Sequence, residues 1–210
     1  MAISKIVTNS VDSGVTITSP TLVTPVLSGS VTGTYTLAGT GTLSSPIISG
    51  TPTGVGVLTS GTAQASTSGT SIDFTSIPSW VKRITVMFNN ISTNGGSEIQ
   101  MQLGDATSIE TTGYLGSNAY TGASSGGIRS TTGLLVSQVG AAEVTMGMAI
   151  ITLVSGTSWV HQCVVGRSTS NYALLSGGSK TLTGTLTRVR ITTVNGTDTF
   201  DAGSINILYE

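Results

Sequence analysis

From about residue 63 to the C-terminus, apolar and polar residues alternate in short runs that are separated by clusters of Gly, Ser, Asn and Thr. Alternation with a period of two is the pattern of a strand with one buried face, and such clusters are typical of turns. The pattern predicts strands at residues 71–77, 81–89, 98–103, 109–115, 133–139, 143–153, 158–165, 172–175, 180–192 and 198–208. About ten short strands favour an antiparallel β-sandwich of the jelly-roll type.

Turns are predicted where glycine or asparagine falls between two of these runs. Ser155-Gly156, Gly177-Gly178 and Asn195-Gly196 are interpreted as hairpin turns, and residues 94–96 as a turn in a longer loop. Glycine and asparagine tolerate the positive φ angles that such turns require.

Two of the predicted strands carry apolar residues on both faces. In residues 158–165, Trp159, His161 and Cys163 alternate with a second set that includes Val160 and Val164. At the C-terminus, residues 205, 207 and 209 alternate with a set that includes a leucine at 208. A strand that is apolar on both faces is typical of the interior of a sheet, so both are predicted to be internal.

The N-terminal part has a different pattern. Residues 13–72 contain no Asp, Glu, Lys or Arg, and residues 25–29 (PVLSG) recur as residues 46–50 (PIISG), with a weaker third copy at residues 19–22. So few apolar residues cannot bury a core within one chain, and three chains wound around an axis would supply the missing burial. The regular recurrence favours a fibrous trimeric β-stalk over the alternative, a flexible linker.

Composition limits the possible functions. Only 8% of residues are charged and the formal net charge is −1, so the chain has no basic stripe of the kind that binds nucleic acid. With 38% apolar residues, disorder is not expected. The longest apolar run, residues 144–154, is too short to span a bilayer, and the N-terminus has no signal-peptide pattern. We expect a soluble product made in a cytoplasm, without nucleic-acid binding or membrane insertion.

Candidate catalytic and metal sites are few. Residues 122–126 (GASSG) match the string of a nucleophile elbow but lie in a Gly/Ser-rich segment rather than between a strand and a helix. The only histidine, His161, and the only cysteine, Cys163, share a predicted strand, which favours core packing. Asp198 and Asp201 could join a weak calcium site or, as we favour, form turns. A pair of glycosidase carboxylates from separate strands stays open. We expect no enzyme activity, no cofactor and no metal.

Residues 113–129 form the longest loop-like segment of the predicted head, and they are rich in Tyr, Asn, Ser and Gly. Such residues are common in adaptable recognition surfaces, and loops often carry binding groups. The candidate receptor-binding residues are therefore Tyr114, Asn118, Tyr120 and Arg129. The alternative is a merely solvated loop.

The C-terminal part resembles a known family. Residues 181–191 (TLTGTLTRVRI) followed by 198–210 (DTFDAGSINILYE) resemble the terminal segment of many bacteriophage and prophage fibre proteins. Residues 74–78 (FTSIP) and 81–86 (VKRITV) extend the resemblance over most of the predicted head, and the N-terminal repeats look like phage fibre stalks.

The resemblance implies a homotrimeric appendage of a bacteriophage virion, made in the bacterial host cytoplasm. Its N-terminus would dock on another virion protein, such as a capsid, portal, adaptor or tail protein, and its head would face outward. Candidate anchor residues are Ile3, Ile6, Val7 and Val11. The resulting layout is a virion anchor at 1–16, a Thr/Gly/Pro-rich stalk at 17–62 and a β-sandwich head at 63–210.

Three kinds of appendage are consistent with that layout. We favour a fibre that docks by its N-terminus and whose head contacts a host cell-surface glycan or protein. The first alternative is a capsid-attached head fibre or decoration protein with a purely structural role, which the modest chain length also fits. A depolymerase spike comes last, because it would need positioned acids and a larger carbohydrate-binding surface.

Overall fold

All regular elements in the described residues are β-strands, in agreement with a chain rich in Thr, Val, Ile and Gly. The structure is a computed structural model that describes residues 58–122, 124–137, 140–141, 143–168 and 171–210. The predicted anchor and nearly all of the predicted stalk lie outside these residues. The prediction of an all-β head is confirmed.

Thirteen strands follow one another along the described chain. They are β1 (Thr59–Ser60), β2 (Gln64–Ala65), β3 (Ser71–Phe74), β4 (Arg83–Thr93), β5 (Ile99–Gly104), β6 (Tyr114–Thr121), β7 (Arg129–Ser130), β8 (Leu134–Ser137), β9 (Thr145–Ser155), β10 (Ser158–Arg167), β11 (Ala173–Thr181), β12 (Arg188–Thr193) and β13 (Phe200–Tyr209).

These strands form two antiparallel sheets. The larger sheet has nine strands in the order β1, β13, β4, β9, β10, β11, β6 and β7, with β2 also paired to β13. The smaller sheet has four strands in the order β3, β12, β5 and β8. Strands β10 and β13 are both internal to the larger sheet, as their two-sided apolar pattern predicted.

One hydrophobic core joins the inner faces of the two sheets. From the larger sheet, Ile84 and Ile151 are fully buried, and from the smaller sheet, Met101 and Ile191. Each such side chain contributes about 1.5–3 kcal/mol when it is removed from water, so this core dominates the stability of the head.

Several predicted elements differ from the structure. The strand predicted at 109–115 begins only at Tyr114 and continues to Thr121, and the long strand predicted at 180–192 is divided between β11 and β12. Gly177-Gly178 is not a turn but lies inside β11. A Cβ on Gly178 would lie 2.7 Å from the carbonyl oxygen of Leu115 and 2.9 Å from Leu134 Cδ2. Here glycine allows a close approach between strands rather than a reversal of the chain.

The other predicted turns connect strands as follows. Gly156 has a φ of +54° and joins β9 to β10, so the Ser155-Gly156 hairpin is confirmed. Asn195-Gly196 connects β12 to β13, and residues 94–96 connect β4 to β5. In each of these two connections the strands belong to different sheets, so neither is a hairpin.

The head extends slightly upstream of the predicted boundary at residue 63. Thr59 and Ser60 pair with Tyr209 and Leu208 of β13, and the Gly61 N–H donates to the carbonyl oxygen of Ile207 at 2.8 Å. Within the described part of the chain, no helix is long and apolar enough to cross a membrane.

Candidate functional site

The segment that holds the predicted receptor-binding residues is mostly strand rather than loop. Strand β6 pairs with β11 along all of its residues, and Gly116 and Ser117 also pair with β7. Because side chains alternate across a strand, Tyr114 and Asn118 point into the core, whereas Leu115 and Ser117 point outward. The expectation that residues 113–129 form a loop is therefore wrong for residues 114–121.

Tyr114 is fully buried and holds two parts of the head together. Its hydroxyl accepts a hydrogen bond from the Leu103 N–H at 2.7 Å and donates one to the carbonyl oxygen of Glu110 at 2.8 Å. Burial raises the pKa of this hydroxyl well above its usual range. Tyr114 thus fastens β6 to β5 and presents no surface to a ligand.

A buried ion pair lies beside Tyr114. The Lys180 ammonium is 2.5 Å from the Glu110 carboxylate and 2.9 Å from the carbonyl oxygen of Thr112, and it lies 5.2 Å from the centre of the Tyr114 ring. Burial alone would raise the pKa of Glu110, but hydrogen bonds from Lys180 and Thr183 outweigh it and the pKa is lowered. The lowered pKa favours the ionised Glu110 carboxylate, and the contact with Lys180 fixes the segment that precedes β6.

The side chains of Asn118 and Tyr120 also make contacts inside the head. The Asn118 Oδ1 accepts a hydrogen bond from the Ile128 N–H at 3.0 Å, and the side chain is buried. Tyr120 is partly buried against the core and stacks edge-to-face on Tyr172, with ring centres 5.7 Å apart. The structure does not bring these two side chains together with Arg129 on one exposed surface.

Arg129 is the predicted site residue that is exposed. It lies on β7, paired with Ser117, at one side of a shallow groove of about 610 Å³. Leu115, Ser179 and Gly177 also line the groove. One guanidinium beside hydroxyl groups and a small apolar surface could bind a ligand that carries hydroxyls or a carboxylate.

The outer face of the larger sheet carries a feature that sequence reasoning missed. Met148, Val164 and Leu175 are each at least half exposed and lie side by side on β9, β10 and β11. The signal was present, since β10 was predicted to be apolar on both faces. Such a two-sided pattern predicts burial of both faces within one chain, whereas here the second face of β10 is open.

The catalytic candidates His161 and Cys163 are buried in the head. His161 is buried, neither of its ring nitrogens has a hydrogen-bond partner among the described residues, and burial lowers its pKa to about 4. Burial also disfavours the charged form of Cys163, and for a thiol this raises the pKa, here to about 12. The hydroxyl of Ser124, in the GASSG string, lies 3.0 Å from the hydroxyl of Tyr172. Such groups are poorly placed as base or nucleophile.

The two acidic residues that could join a calcium site, Asp198 and Asp201, instead accept hydrogen bonds from neighbouring residues. Asp198 accepts hydrogen bonds from the Ser97 N–H at 2.9 Å and from Asn195 Nδ2 at 2.6 Å, and Asp201 accepts one from the Ser92 hydroxyl. Among the described residues, no group of three or more His, Cys, Asp or Glu side chains could hold a metal ion.

Comparison with known proteins adds no relative. No protein-family model, no curated protein and no solved structure matches this chain. The candidate anchor residues Ile3, Ile6, Val7 and Val11 lie outside the described residues.

Proposed function

We propose that the chain is a homotrimeric structural fibre protein of a bacteriophage virion. Residues 1–16 dock on another virion protein, residues 17–62 form a trimeric β-stalk, and residues 63–210 form a head that contacts the host surface. The proposal is supported chiefly by the two unlike parts of the chain. Residues 13–72 contain no charged residue and are interrupted by prolines, and an all-β head follows them.

The strand order supports a jelly-roll head. When β1 and β2 are taken as one position, and β6, β7, β10 and β11 are set aside, eight positions remain. The larger sheet then has the first, last, third and sixth of them side by side, and the smaller sheet has the second, seventh, fourth and fifth. That order is the one found in jelly rolls, which occur widely in viral proteins. The strands set aside extend the larger sheet.

The trimer is tested by the mass of the full-length chain in solution. Light scattering coupled to size exclusion should give three times the chain mass, at a concentration where weak association is lost. A monomeric mass would contradict the proposal, because residues 13–72 would then have no partner chains to cover their apolar residues.

Host contact is tested at the groove beside Arg129. Arg129→Ala should weaken binding of the purified protein to host cells without changing its melting temperature, because the side chain is exposed. Three copies on a trimer make the loss larger for cells than for a single site. Lys82→Ala, at an exposed cation close to the end of β4, is the matched control and should bind as the wild type does. Equal binding by both variants would remove the groove from the proposal.

A capsid-attached head fibre or decoration protein with a purely structural role is the second candidate. It is favoured by the placement of Tyr114, Asn118 and Tyr120, which are used for packing and hydrogen bonds inside the head. Two measurements distinguish the two candidate functions. One is the binding of the wild-type protein to host cells, and the other is the position of a labelled N-terminus on virions seen by electron microscopy. No binding, together with labels on the capsid shell, would favour the structural role.

A further inference from the structure

The outer face of the larger sheet has an apolar row that crosses several strands. In the register of the sheet, Met87 lies beside Met148, Met148 beside Val164, and Val164 beside Leu175. Met148, Val164 and Leu175 are 50%, 58% and 52% exposed. Exposed apolar residues that occur singly are common, but a contiguous row across four strands marks a surface that another molecule covers.

The same face is free of charge over its central strands. None of the outward positions of β6, β9, β10 and β11 carries Asp, Glu, Lys or Arg. The two cations on these strands, Lys180 and Arg167, are buried or nearly so, and each forms an ion pair with a glutamate. An occupant with charged groups would have to bury them there without a partner, which is costly.

The outer face of the larger sheet has both a hollow and a protruding side chain, so two different parts of this face could fit together. A hollow of about 390 Å³ lies on β9 and β10, lined by Met148, Ile150, Gln162 and Val164. On β11, the strand next to β10, Leu175 projects beside this hollow and is 52% exposed. A surface that carries both a hollow and a protrusion can form head-to-tail contacts, and such contacts close into rings when the rotation between copies allows it.

We infer that the outer face of β9, β10 and β11 is the contact surface between copies of this chain. A second copy presents the same uncharged face, so no charge is buried unpaired whichever part of the face it covers. The inference rests on the proposed homotrimer and adds to it: the head, and not only the stalk, holds the three chains together.

The test uses thiol labelling of the full-length chain under native, reducing conditions. Leu175→Cys places a thiol in the row, and Val194→Cys places one on an exposed turn after β12, where the wild-type valine is 39% exposed. Both positions are exposed in the single chain, so neither substitution opens the core. The native Cys163 is buried with a pKa of about 12 and contributes little background.

In a free chain, the thiol at position 175 should react with a bulky maleimide at least as fast as the one at position 194. If copies cover the face, the thiol at 175 reacts at least about tenfold more slowly than the one at 194, because it is reached only when the contact opens. Dilution or mild denaturant that separates the copies without unfolding the head should restore fast labelling.

Three results would overturn the inference, and they differ in what else they affect. Equal labelling rates in a trimeric protein would leave the proposed trimer intact and remove this face from it. A monomeric mass would remove the trimer as well, and slow labelling at 175 in that monomer would assign the face to the N-terminal segment of the same chain. Labelling of the trimer that slows only after host cells are added would assign the face to the host surface.

Discussion

The ammonium of Lys180 lies 2.5 Å from the carboxylate of Glu110, and the two side chains are 6% and 15% exposed. The pair joins the end of β11 to the segment before β6. A second ion pair, between Arg190 of β12 and Asp73 of β3, has two hydrogen bonds of 2.7 Å, but both side chains are about one third exposed. The two pairs have similar distances and differ in burial, and burial decides what breaking each pair costs.

Replacing Lys180 by Met should lower the free energy of unfolding by about 1.5–3 kcal/mol, because the partly buried Glu110 carboxylate loses its cationic partner and keeps only the hydrogen bonds from Thr183. Asp73→Asn is the comparison at the exposed pair and should cost about 1 kcal/mol or less. Urea unfolding followed by tryptophan fluorescence, at equal protein concentrations, measures both. Equal losses would contradict the importance that we assign to burial.

Tyr114→Phe isolates the buried hydroxyl. Without it, the Leu103 N–H and the Glu110 carbonyl both lose a partner inside the protein, so we expect a loss of about 1–3 kcal/mol in the free energy of unfolding. Tyr120→Phe is the control, because no hydrogen bond of the Tyr120 hydroxyl is seen among the described residues, and it should change stability by less than about 0.5 kcal/mol. Calorimetry or urea unfolding distinguishes the two. A Tyr114→Phe variant as stable as the Tyr120→Phe variant would argue against the buried role.

The alternation of apolar residues was sufficient to predict most strands and the internal positions of β10 and β13. It failed in residues 113–129, where the outward residues of β6 other than Leu115 are small or polar and the composition is that of a loop. The strand exists because it pairs with β11, and that pairing joins residues far apart in sequence. Sequence composition contains no record of such a partner.

Tyr114 and Asn118 of the candidate site are buried for a related reason. Tyr114 and Arg129 were chosen for side-chain chemistry, but whether a strand residue faces the core or the solvent follows from the register of the sheet. Register placed Tyr114 inside and left Arg129 exposed. The two-sided pattern of β10 is the sequence signal for the exposed row through Val164, since that pattern fits contact with a partner chain as well as a second layer of the same chain.

His161 should make the head sensitive to mild acid. Its pKa is lowered to about 4 in the folded chain by burial, against an ordinary value of 6.5, so the unfolded chain binds the proton more readily. Stability is unaffected by this group above pH 6.5 and falls as the pH drops from about 6.5 to about 4. The shift corresponds to a loss of about 3 kcal/mol.

The measurement is the free energy of unfolding at several pH values for the wild type and for His161→Leu. The variant keeps an apolar side chain in the core but has no imidazole to protonate, so its stability should fall less between pH 6.5 and 4. The carboxylates contribute equally to both proteins, and the difference between the two curves therefore belongs to His161. Parallel curves would show that the folded chain accommodates the charged imidazole.

The last prediction concerns strand β13, which lies between β4 on one side and β1 and β2 on the other. Ile207 is 3% exposed and faces the core, whereas its neighbour Leu208 faces outward and is partly exposed. Ile207→Ala should lower the free energy of unfolding by about 2–5 kcal/mol through lost burial and the cavity left behind, and Leu208→Ala by less than half as much.

Deleting residues 204–210 removes the strand on which β4, β1 and β2 pair, exposes the edge of β4, and should leave insoluble protein. Solubility after expression, followed by unfolding of the two point variants, tests these expectations. A soluble, trimeric truncated chain would mean that the sheet closes without β13.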